Sequence, residues 1–140
     1  YLSRNAARDV AMRLLYEKDM SSAYSVEALN SMIESFHIAE KDVKYIHDII
    51  YGVDKNIVQI DEYIKEYVKG WRFDRISKID LAILRLAIYE LVWVDDIPYK
   101  VSINEAVELA KLYGSENSSS FVNGILGSFV RSDFFQDDVK

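Results

Sequence analysis

Three groups of residues in this chain have types and spacings suited to chemistry on a polyanion. Lys65, Lys69, Arg72 and Arg75 interleave with Tyr67, Trp71 and Phe73. Cations in such a mixture meet phosphates while aromatic faces stack on unpaired bases, each stack worth roughly 1–3 kcal/mol. Trp71 and Phe73 read more readily as plugs in a joint between two halves of a fold. Near the N-terminus Arg4 and Arg8 stand one helical turn apart with no acid before Asp9, either a phosphate-facing pair or solvated decoration. The third group is Y-G-S-E-N-S-S-S-F-V-N-G-I-L, residues 113–126, where a small polar loop runs into a helix with Asn123 and Gly124 near its start. Gly inside a helix costs about 1 kcal/mol relative to Ala. Either a close helix crossing or an approaching ligand backbone accounts for it, and free N–H groups at that helix start would suit a phosphate.

Covalent and metal chemistry find no support. His37 and His47 lack a second ligand at metal spacing, and Ser118, Ser119 and Ser120 stand outside any nucleophile elbow. Gly70 and Gly114 are isolated, so no loop cradles a phosphate, and the absence of Cys removes thiolate sites and disulfides. The expectation is a protein with no catalytic residue, no metal, no cofactor and no small-molecule substrate.

The charge balance sharpens this. The net charge of −6 argues against a free-standing nucleic-acid binder. Its distribution is uneven: Lys65, Lys69, Arg72, Arg75 and Lys78 outnumber Glu66 and Asp74, whereas Asp80, Glu90, Asp95, Asp96, Glu105 and Glu108 outnumber Arg85 and Lys100. The chain has a basic pole and an acidic one.

These groups need elements to hold them. With 140 residues, one Pro and five Gly, one domain of few, long elements is expected, with a real core. Ala7, Val10, Ala11, Leu14 and Leu15 repeat at helical spacing behind Ser3 as N-cap, with Met12, Tyr16 and Met20 on another side of the same helix. Ser25 would cap a helix striped by Val26, Leu29, Ile33 and Phe36. From Val43 to Tyr67 a three-four repeat predicts one long helix, or two in line, with Gly52 as the bend. K-G-W-R-F breaks the pattern at 69–73. Ile79 to Val94 is apolar nearly all round, as a central helix would be. Ser102 and Glu105 read as a capping box, Gly114 as a helix stop at the C′ position, and the last helix would bury Phe121, Val122, Ile125, Leu126, Phe129 and Val130. The fold class predicted is all-α, about seven helices in two packed halves, roughly 1–70 and 71–132, followed by an acidic tail at 133–140.

No apolar run reaches the roughly 20 residues that span a bilayer, and no apolar signal core opens the chain. A soluble cytoplasmic protein without a membrane partner is expected, with native residues preceding Tyr1.

L-R-L-A-I-Y-E-L (84–91), I-P-Y-K-V-S-I-N-E-A-V-E-L-A-K-L-Y-G (97–114) and F-V-N-G-I-L (121–126), with R-N-A-A-R-D-V-A-M-R-L-L-Y (4–16), resemble the NusB family of bacterial transcription antitermination factors over Ser3 to Arg131. The resemblance implies two perpendicular helical subdomains and no enzymatic activity. It implies binding of the single-stranded boxA element of ribosomal RNA transcripts, pairing with NusE (a small-subunit ribosomal protein), and loading onto RNA polymerase. Carried over, the RNA side would be Arg4, Arg8, Tyr67, Tyr113, Asn117 and Phe121, and the NusE side Tyr16 and Asp80. Asn5, Ala6 and Gly127 stand where charged residues are common in the family. Two other readings remain: a purely protein-binding scaffold working through its acidic face, and an RNA-binding module like the appendage of ribosomal RNA methyltransferases.

Overall fold

The structure, a computed structural model, describes residues 4–21, 27, 30, 31, 34, 35, 38–68 and 73–139. The expected caps Ser3 and Ser25, the stripe Val26, Leu29, Ile33 and Phe36, His37, and Lys69 to Arg72 of the basic loop lie outside the described residues. The fold is all-α. Six α-helices are described: α1 (Arg4–Ser21), α2 (Glu40–Lys55), α3 (Ile57–Tyr67), α4 (Lys78–Trp93), α5 (Tyr99–Tyr113) and α6 (Ser118–Val130). A 3-10 turn at Phe73–Arg75 precedes α4, and a π-helical turn at Phe135–Val139 follows α6.

The apolar stretch from Leu81 to Leu91 makes α4 the axis of the molecule. Leu81, Ala82, Ile83, Leu84, Leu86, Ala87, Ile88 and Leu91 are all buried, and α4 packs against α1, α2, α3, α5 and α6. Ser77 caps its start, its Oγ accepting from the Asp80 backbone N–H at 3.1 Å, a bond of the kind worth about 1 kcal/mol. The α1 stripe (Ala7, Val10, Ala11, Leu14, Leu15) lies against α2 and α4, so one continuous core joins the N-terminal and C-terminal helices.

Local signals were overruled in four places. The break between α2 and α3 falls at Asn56 rather than Gly52: Asn56 leaves helical geometry (φ −109°, ψ 18°), and its Nδ2 donates to the Gly52 carbonyl at 2.9 Å. Gly52 instead makes room for the Tyr89 ring, which an added Cβ would approach to 2.2 Å. Helix α5 begins at Tyr99 with Pro98 as N-cap (φ −59°), so Ser102 lies inside the helix and is no cap; its hydroxyl donates to Glu90 at 2.8 Å. Gly114 ends α5 in extended backbone (φ −88°, ψ −172°) rather than the left-handed form. A Cβ there would stand 2.4 Å from the Ser118 side chain and 2.7 Å from the Ala110 carbonyl. Finally, the acidic tail contributes to the core, for Phe135 is buried 5.7 Å from Phe129.

Candidate nucleic-acid and partner interface

Between the C-terminal part of α1, the start of α4 and the α5–α6 turn lies a cleft of about 780 Å³. Tyr16 and Met20 project from α1; Arg75, Ile76, Ser77, Lys78, Ile79 and Asp80 form the turn into α4; and Tyr113, Gly114, Ser115, Asn117, Ser118 and Phe121 close the third side. Five of the eight residues singled out by the sequence meet here: Tyr16, Asp80, Tyr113, Asn117 and Phe121. Two were expected on a protein-binding side and three on an RNA-binding side, and one cleft holds both.

The polar loop is tightly made. Ser118 is buried, and its Oγ accepts from the Ser115 N–H at 2.9 Å. With Gly114 admitting that side chain, the chain reverses sharply and places Asn117, exposed, at the start of α6. The positive end of the helix dipole therefore borders the cleft. Phe121, expected in the core, is half-buried and lines the cleft. Gly124 is exposed, with nothing within 4 Å of where a Cβ would stand, so no helix crossing requires glycine there.

Tyr113 is held by residues that sequence reasoning passed over. Its hydroxyl donates to the Asp9 carboxylate at 2.8 Å and accepts from Arg13 Nε at 3.1 Å, while Asp9 and Arg13 pair at 2.7 Å. Burial lifts the Tyr113 hydroxyl above its ordinary pKa; the Arg13 hydrogen bond opposes this and Asp9 reinforces it. The phenol thus stays a donor at neutral pH. The i,i+4 spacing of Asp9 and Arg13 was the available signal.

Asp80 is 8% exposed and its Oδ1 has no hydrogen-bond partner among the described residues. A buried carboxylate oxygen without a donor is costly, and this one stands at a cleft wall. Lys78 beside it pairs with Asp19 at 3.1 Å, and Arg75 is exposed. Of the two methionines on that side of α1, Met20 is 58% exposed at the cleft, whereas Met12 is buried.

Arg4, Arg8 and Tyr67 lie elsewhere. Arg4 pairs with the buried Asp42 at 2.9 Å and covers the Tyr45 ring at 4.3 Å. Tyr67 is half-buried, edge-on to Phe129 at 6.1 Å, and Phe73 packs on the core with Lys65 Nζ 5.1 Å from its ring. Arg8 requires correction: it is no surface cation. At 4% exposure it donates to Glu90 through Nε at 2.8 Å and Nη2 at 3.3 Å. Tyr45 Oη and Ser102 Oγ donate to the same carboxylate, and Glu105 lies 4.0 Å from Arg8. Burial pulls the Arg8 pKa down, but the Glu90 hydrogen bond and charge outweigh it and leave it raised. The Glu90 charge is therefore spent inside the molecule, and Asp80 is nearly enclosed. The exposed acids of the pole are Asp95 and Asp96, beyond the end of α4, and Glu108 on α5.

No described helix is long and apolar enough to cross a membrane, and no group of three or more His, Asp or Glu side chains that could hold a metal occurs among the described residues.

A model of the NusB family matches residues 5–131. The transcription antitermination protein NusB of Acetivibrio thermocellus is 50% identical over 130 residues, which is 93% of this chain and 90% of that protein. The same-named protein of Alkaliphilus oremlandii is 42% identical, covering 94% and 96%. Among solved structures, NusB of T. maritima superimposes with a TM-score of 0.85 at 33% identity, covering 94% of this chain and 92% of that one. A crystal structure of antitermination factors NusB and NusE in complex with double-stranded RNA gives 0.80 at 26% identity, covering 91% and 96%.

Proposed function

The chain belongs to the NusB family, and we propose from that premise that it is a transcription antitermination factor. In this reading it binds single-stranded boxA RNA of ribosomal RNA transcripts together with NusE, and the pair acts on RNA polymerase by binding rather than catalysis. The observation that carries the reading is the cleft that unites Tyr16 and Asp80 with Tyr113, Asn117 and Phe121. Phe121 and Tyr113 offer rings to unpaired bases, Asn117 offers amide hydrogen bonds, and exposed Arg75 meets a phosphate. Asp80, at the cleft wall, offers its negative charge to a cationic group of NusE, with Tyr16 beside it. Arg4 and Tyr67 would extend the RNA path outside the cleft; Arg8 has no part in it.

A chain at −6 releases few counterions from RNA by itself. A basic partner seated over the cleft would supply the missing positive field. The test is a titration with single-stranded boxA-like RNA, with and without NusE, and with a duplex of the same sequence as competitor. Weak binding alone, strengthened by NusE and preferring the single strand, is the expected result. RNA affinity unmoved by NusE would refute the joint site, and a protein-only scaffold would bind NusE with no RNA affinity at all.

A further inference from the structure

A second constellation lies at the other end of α4. At a rise of about 1.5 Å per residue, Trp93 stands roughly 20 Å along the helix from Asp80, outside the cleft. Tyr89 and Trp93, one turn apart, stack with centroids 5.5 Å apart and planes 21° from parallel. Tyr51 of α2, 61% exposed, lines the same hollow of about 450 Å³ with Asp48, Asp95 and Asp96. The Tyr89 ring sits where only glycine leaves space on α2, since a Cβ on Gly52 would reach 2.2 Å from it.

The lining is acidic on balance, Asp48, Asp95 and Asp96 outnumbering Lys55. Asp95 and Asp96 are exposed immediately past the end of α4, and the last turn of α4 holds no basic residue. The negative end of the helix dipole therefore adds to the two carboxylates. Lys55 lines the hollow from α2, and Lys44 is taken up by Asp48 at 2.8 Å. Aromatic faces beneath an acidic rim select a cation, the indole face best of all. A guanidinium fits better than an ammonium, because it stacks flat on a ring while its edge pairs with a carboxylate. Phosphate is repelled by the same rim.

We propose that the Tyr51, Tyr89, Trp93, Asp95 and Asp96 hollow is a docking site for an arginine-bearing segment of a partner protein, separate from the cleft. Its side chain lies on Trp93 and Tyr89, and its guanidinium edge meets Asp95 or Asp96. The two sites together let the chain hold one partner beside RNA and tether another at the opposite end of α4.

The test uses the full chain with Trp71→Phe, which leaves Trp93 as the one remaining of two tryptophans. Its fluorescence is followed while a nonapeptide of alternating arginine and glycine is added, and then the same peptide with glutamine for arginine. Saturable quenching by the arginine peptide, weakened roughly tenfold or more in the glutamine peptide and in Asp95→Asn/Asp96→Asn, is expected. Gly52→Ala, which displaces the Tyr89 ring, should weaken it as well, while boxA-like RNA binding stays unchanged in the surface double variant. No saturable quenching, equal quenching by the glutamine peptide, or indifference to the Asp95→Asn/Asp96→Asn change would each overturn the proposal. Quenching that instead follows protein concentration with sedimentation as a dimer, or that follows added RNA, would also overturn it.

Discussion

The Arg8 guanidinium and the Glu90 carboxylate, 82 residues apart in the chain, meet in a two-point ion pair at 2.8 and 3.3 Å inside the core. Removing one partner of such a pair leaves an uncompensated buried charge, which costs about 3–5 kcal/mol. Arg8→Ala should therefore lower stability by that amount in urea unfolding, and Arg8→Lys should recover only part of it, since an ammonium cannot engage both oxygens. RNA binding of the folded fraction should keep its salt dependence. A slope flattened by about 0.7 with stability intact would return Arg8 to the RNA surface.

Tyr45 brings pH into the same cluster. Burial, then the Glu90 charge, push its hydroxyl well above the ordinary value of a phenol. An acid whose folded pKa is raised contributes stability that is complete below its unfolded value, about 10, and is lost as pH climbs through the folded value. Melting temperature should thus fall steeply above about pH 10. Tyr45→Phe should cost about 1–3 kcal/mol at neutral pH, by taking a donor from Glu90, and should flatten the alkaline fall. An unchanged alkaline limb would mean that another phenol governs it.

Asp80 is enclosed enough that charge reversal tests folding as well as binding. Asp80→Asn keeps the shape and removes the charge, so NusE affinity should drop by about 1.5–3 kcal/mol with little change in melting temperature. Asp80→Lys should lose both, because it buries an unpaired cation in the first turn of α4, where the helix dipole disfavours it. NusE affinity equal to wild type in Asp80→Asn, read by calorimetry, would take Asp80 out of the partner surface.

Gly124 faces open space. Gly124→Leu should hold or raise the melting temperature, gaining up to about 0.8 kcal/mol of helix propensity, while RNA binding falls because the added side chain stands where the strand would pass. A marked loss of stability would show that the face serves the fold.

These cases show what could be read from the chain in advance. Helix α4 was legible because a helix apolar on every side has few places to go except the centre. The break at Asn56 was missed and Ser102 was misread for a shared reason: each has a side chain whose hydrogen bond is decided by a neighbour. For Asn56 that neighbour is the Gly52 carbonyl, and for Ser102 it is Glu90, twelve residues away. Arg8 looked like a surface cation because nothing near it in sequence announces Glu90. The cleft residues Tyr113, Asn117 and Phe121 were reachable through motif resemblance. The Asp9–Arg13 clasp on Tyr113, which spans α1 and α5, was not drawn from its spacing.

Glu90 has one further consequence. Its donors come from three different helices, Arg8 on α1, Tyr45 on α2 and Ser102 on α5, while hydrophobic contact is indifferent to small rotations. A helix turns about 100° per residue, so a one-residue slip in any of the three would swing its donor out of reach and strand the carboxylate. The cluster thus acts as a phase lock: among the many ways of stacking greasy cylinders, it singles out one rotational setting, and the cleft walls that depend on α1, α4 and α5 inherit their alignment from it.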